Sequence, residues 1–112
     1  MNETKAIFVA AVRSAIDLPA EIRTAAEKVV GLSQTTLDQS YLDFLDEQIR
    51  LCPRGEEWNA ILKRRKNALA PFVGRQFVGG EIPTSRGQVW VKVDPLAKRV
   101  LYWEVEPLAT GI

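Results

Sequence analysis

The chain holds no histidine and a single cysteine, Cys52, among its 112 residues. Without histidine, Ser-His-Asp triads and imidazole acid–base steps are excluded. Zinc centres built on Cys and His lack a ligand set. One cysteine cannot close an intramolecular disulfide, and as a nucleophile Cys52 has no histidine to activate it. Long apolar runs are scarce as well. Ala6 to Val12 is the longest near the start, and Arg13 breaks it well short of the ~20 residues that a membrane helix needs. The opening "MNETK" carries Glu3 beside one lysine, a poor signal-peptide start with no convincing cleavage site behind it. The expectation is a cytoplasmic protein with no membrane contact.

What is present is ordinary for a globular chain. Apolar residues make up 46% and charged residues 26%, and there is no repeat or low-complexity stretch. The length suits one small domain, residues 1–112, able to bury roughly two thirds of its unfolded surface. Net charge is +1, unevenly spread. Residues 1–52 hold five basic and eight acidic side chains, and residues 53–112 hold ten and six. Such asymmetry can steer a partner, but mixed surface charge is normal and the plainer reading is preferred.

Periodicity predicts about four helices over residues 3–70. The first, about Glu3 to Ile16, repeats Ile7, Phe8, Ala11, Val12, Ala15 and Ile16 at helical spacing, although Val9 and Ala10 leave a strand over 6–12 open. A second starts at Pro19, buries Ile22, Ala25, Ala26, Val29 and Val30, and stops at Gly31. "SQTTLDQ" opens a third, with Thr35 and Asp38 at capping-box spacing. Leu37, Tyr41, Phe44, Leu45, Gln48, Ile49 and Cys52 would line its inner side, opposite Asp43, Asp46, Glu47 and Arg50. The fourth runs from about Gly55 to Leu69. Beyond a hinge near Pro71 to Gly74, "RQFVGGEI", "QVWVKV" and "RVLYWEV" read as a three-stranded antiparallel meander over about 75–106, with a loose "PLATGI" tail. The fold class is therefore α+β, helices first and a small sheet packed on them.

Four basic residues in a row, Lys63, Arg64, Arg65 and Lys66, raise nucleic-acid binding. Relative to Trp58, Lys63 and Arg64 point about 140° and 240° away, Lys66 about 80°, and Arg65 about 340°, in the middle of the apolar stripe. The charges encircle the helix, whereas a groove-reading helix gathers them on one side. Glu56 and Glu57 share the outer face, and the pI is about 7.9. A solvated face is favoured. Arg65 is expected to be a mostly buried structural charge, held by main-chain carbonyls or by a carboxylate such as Glu104.

The last hairpin holds Trp90, Tyr102 and Trp103, and two registers compete. With Asp94 opposite Arg99, Trp90 meets Trp103, and Val91 and Tyr102 share a face with Val89, Val93 and Val100. With Asp94 opposite Lys98, Leu101 and Trp103 join the valines, while Trp90 and Tyr102 pair on the other side beside Lys92 and Glu104. Either way the ribbon holds more apolar surface than one face hides.

Other constellations are thin. Asp43, Asp46 and Glu47 lie on a helix with Arg50 one turn from Asp46, an i,i+4 pair rather than a cation loop, so no metal is expected. "VGGEIPTSRG" lacks phosphate-loop spacing, leaving Glu81 as a lone carboxylate to inspect. No catalytic residue and no cofactor is expected. The leading expectation is a non-enzymatic protein-interaction or regulatory module, of inhibitor, antitoxin or immunity type, binding a protein partner or itself. Trp90, Tyr102 and Trp103 would be its anchors, with Lys92 and Arg86 near the rim. The alternatives are a nucleic-acid binder using Lys63, Arg64, Lys66 and Arg75 with Arg86, Lys98 and Arg99, and a small-ligand binder or His-independent enzyme.

Overall fold

A computed structural model describes residues 3–105, so the expected loose tail and Glu106 lie outside the described residues. The elements are α1 (Glu3–Ser14), α2 (Ala20–Thr24), a 3-10 turn (Ala26–Lys28), β1 (Val30–Thr36), α3 (Gln39–Leu51), α4 (Glu56–Leu69), a second 3-10 turn (Ala70–Phe72), β2 (Gln76–Thr84), β3 (Gly87–Asp94) and β4 (Arg99–Val105). The protein is mixed α+β, with its strands in one sheet ordered β1-β2-β3-β4. Two expectations are corrected. The sheet has four strands rather than three, and helices and strands interleave instead of following in two blocks.

The extra strand, β1, covers residues expected as the end of one helix and the start of the next. Gly31, expected as the helix terminator, lies inside β1 with φ +65, and the helical path ends earlier, α2 at Thr24 and the 3-10 turn at Lys28. Only Leu32 of β1 is half-buried, and the other strand residues are exposed, so no apolar alternation marks the strand. Helix α3 starts at Gln39, with Asp38 in extended backbone as its N-cap and no side-chain capping bond.

The described chain forms two compact units. One comprises residues up to 35 and from 76, and the other residues 36–75. In the first, α1, α2 and the first 3-10 turn pack on one face of the sheet. Phe8, Val12, Ile22 and Ala26 meet Val78, Ile82, Val89, Val91 and Val93 in a continuous apolar cluster. Ile16, expected on the buried stripe, lies past the end of α1 and is 88% exposed. Gly80 sits where this packing is tightest. A Cβ there would lie 2.6 Å from Val29 Cγ2 and 3.2 Å from Phe8 Cε2, so any side chain displaces its neighbours.

The second unit is a helical hairpin. Leu37, Leu42, Leu45 and Leu69 are buried. The inner side of α3 is turned from the expected one. Leu42 takes an inward place, while Phe44, Leu51 and Cys52 are exposed. Cys52 ends α3 in the left-handed region, φ 52, donating its N–H to Gln48 O at 2.9 Å. Asn59 Nδ2 donates to Ile49 O at 3.1 Å, tying α4 to the last turn of α3. At the open end, Leu37 N donates to Arg75 O (2.9 Å) and Gly74 N to Leu37 O (2.8 Å). Backbone bonds thus join the point where the chain enters the hairpin to the point where it leaves.

Candidate functional site

The β3–β4 register follows the first alternative only at the turn, and beyond it matches neither, although the sides taken by Trp90 and Trp103 are those of the second. Asp94 opposes Arg99 and Val93 opposes Val100, but beyond a bulge Lys92 opposes Tyr102, Val91 opposes Trp103 and Trp90 opposes Glu104. Leu101 is the extra residue, and it flips the side assignment of everything after it. Trp103 thereby joins Val100 and Val105 as half-buried residues packed on the apolar cluster. Trp90, Lys92, Tyr102 and Glu104 share the other face.

The three expected anchors therefore part company. Trp90 is 39% exposed, Tyr102 is buried at 8%, and Trp103 turns toward the core side. Glu104 is also buried, at 6%, and Glu81, across the sheet from Trp90, is half-buried with Gln88 Nε2 3.4 Å from its Oε2. Lys92 Nζ lies 4.7 Å from the centre of the Phe77 ring, a cation–π contact along the same face. Arg86 is exposed in the β2–β3 turn. Next to it, Ser85 N donates to Glu21 Oε2 at 2.7 Å. The bonds from Ser85, helped by the charge of Arg86, hold the Glu21 carboxyl below its ordinary value.

At the β3–β4 turn, Asp94 is 2% exposed and its Oδ1 accepts from Leu96 N (2.9 Å) and Ala97 N (3.0 Å), while Lys98 adopts φ 57. The buried carboxylate thus fixes the turn that sets the hairpin register.

In the helical hairpin the basic run is divided as the helix angles required. Lys63 and Arg64 are exposed, and Lys66 forms an ion pair with Asp46. Arg65 is half-buried and its Nη1 donates to Tyr41 Oη of α3 at 3.4 Å. The expected Asp46–Arg50 pair is replaced by Glu47–Arg50, with Nη2–Oε1 at 2.6 Å and a second bond from Nε at 3.2 Å. That bidentate bond lowers the Glu47 pKa. Arg75 stacks on Phe72 at 5.6 Å.

Sequence reasoning missed a groove between α3 and α4, of about 170 Å³. Its apolar walls come from Phe44, Leu45, Trp58 and Leu62, and its polar groups from Gln48, Asn59, Arg54 and Arg65. Phe44 is 56% exposed, and the Arg54 guanidinium lies 5.0 Å from the centre of the Trp58 ring. The signal was an arginine at about 340° on an otherwise apolar stripe.

Among the described residues, no group of three His, Cys, Asp or Glu could hold a metal ion, and no helix is long and apolar enough to cross a membrane. Compared with known proteins, the chain matches no family model, no curated protein and no solved structure.

Proposed function

We propose that the chain is a non-enzymatic protein-interaction or regulatory module, cytoplasmic, acting on a protein partner or on a second copy of itself. The observation that carries this reading is Trp90. A large ring, 39% exposed, stands on the sheet face turned away from the apolar cluster. Tryptophan is among the residues most enriched at interface centres, because it desolvates a large area at little entropic cost. Lys92 and Glu81 beside it supply the polar surround that such anchors have. Tyr102 lies on the same face as Trp90, and Trp103 on the opposite one.

The test compares the wild-type chain with Trp90→Ala, immobilised in native cell extract, alongside sedimentation of the free proteins. The reading expects a bound protein, or a self-association, that the substitution removes while thermal stability stays within about 0.5 kcal/mol. A bound protein retained by Trp90→Ala would refute Trp90 as the anchor.

Nucleic-acid binding is the second reading, supported by the exposure of Lys63 and Arg64. Lys66 is engaged by Asp46, which reduces the phosphate contacts of α4 to about two. Retention on a phosphate matrix would then fall with a log–log salt slope of about −2. A much steeper slope would favour nucleic acid over a protein partner.

A further inference from the structure

We infer that the α3–α4 groove receives an apolar side chain flanked by carboxylates, presented by an acidic segment of a partner protein. The inference rests on the protein-interaction reading for the kind of occupant, but on a different surface from Trp90. Size is the first argument. A cavity of about 150 Å³ takes one benzene ring, whereas pockets for whole small ligands run to about 300–1,000 Å³. At about 170 Å³ the groove accepts one leucine or phenylalanine side chain and little else.

Charge is the second argument. Two guanidinium groups, Arg54 and Arg65, line the groove and no carboxylate does. The acids of α3 are engaged outside it: Asp46 with Lys66, Glu47 with Arg50, and Asp43 with the Gln39 amide at 3.1 Å. An incoming carboxylate therefore meets cations at the groove, and two of the three acids of α3, Asp46 and Glu47, are already paired with cations. Composition is the third. Phe44 and Leu51, one face of α3 at i and i+7, are 56% and 55% exposed, and Trp58 stands across from Phe44 under Arg54. Aromatic rings beside arginines, around a slot for one side chain, form the arrangement that anchors a short peptide.

The test uses ¹⁵N-labelled full-length protein and three probes: an acetylated, amidated tripeptide of phenylalanine between two aspartates, the same tripeptide with lysines in place of the aspartates, and 3-phenylpropionate. The expected result is shifts at the Trp58 indole and at the Phe44, Gln48 and Leu62 amides, with the acidic peptide binding at least about tenfold tighter than the basic one. That factor corresponds to the 1.4 kcal/mol of a modest charge contact. Arg54→Gln, at an exposed position, should bring the two peptides to within about twofold of each other and leave the rest of the spectrum in place. Equal binding of the two tripeptides, or no shift at these residues, overturns the inference. Tighter binding of 3-phenylpropionate than of the acidic peptide also overturns it, in favour of a free small acid. Shifts at Trp90 in place of Trp58 overturn the groove but leave the sheet-face reading standing.

Discussion

The sheet unit and the helical hairpin bury their apolar residues by different means. In the first, three helical pieces and a sheet enclose a cluster so close that Gly80 has no room for a methyl group. In the second, α3 and α4 pack along one stripe each. Leu42, Leu45 and Leu69 go inside, while Phe44 and Leu51 stay out. Two cylinders in contact hide one stripe each, and α3 has apolar residues at more positions than one stripe holds. A face that folding leaves uncovered is where a binding role finds material. The same comparison holds within the ribbon, where Trp103 goes to the core and Trp90 stays wet.

The comparison is sharpest when broken from inside each unit. Phe8→Ala, at a fully buried ring, should destabilise the sheet unit by about 3–5 kcal/mol. Hydrogen exchange should report this as lost protection in α1 and β2–β4 ahead of α3 and α4. Equal loss in both would show that the units melt as one body. Leu45→Ala, also fully buried, should cost about 2–5 kcal/mol and open the helical amides first. Gly80→Ala should cost about 1–3 kcal/mol by overpacking, read as a lower urea midpoint, while the same change at Gly79, whose Cβ would meet only Phe77 at 3.5 Å, should be far milder. Asp94→Ala leaves two backbone N–H groups without their acceptor and should cost about 1–3 kcal/mol, with disturbed amide shifts along β3 and β4.

The smallest effect is electrostatic. Glu21 and Glu47 both have their pKa lowered from 4.5, Glu21 by Ser85 and Glu47 by Arg50. A depressed carboxyl pKa contributes stability that is complete above the unfolded value and lost as pH falls through the folded value. Both groups are fully solvated, so the loss below pH 4.5 should be slight. Thermal midpoints of Glu21→Gln and Glu47→Gln should converge on the wild type as the pH drops below that value. A constant offset down to low pH would place the effect elsewhere than in the charge.

The sequence revealed α1, α4 and strands β2 to β4 because each carries a periodic apolar signal. It concealed β1, whose exposed residues show no alternation, and the rotation of α3, because apolar residues occur at nearly every inner position and at Phe44 besides. The sidedness of Trp90 and Trp103 hung on Leu101, a bulge that periodicity cannot register. Arg65 was marked as anomalous by its helix angle alone, but the groove it lines depends on Phe44 facing out, which only the fold reveals.

The closure at Leu37, Gly74 and Arg75 has a consequence for how such a chain can change. The polypeptide departs between two neighbouring strands and comes back to the spot it left, held there by main-chain bonds that no side chain supplies. Lengthening, shortening or exchanging the detour alters only a slowly growing loop-closure entropy. The strands on either side can thus keep their pairing while the detour between them changes in length.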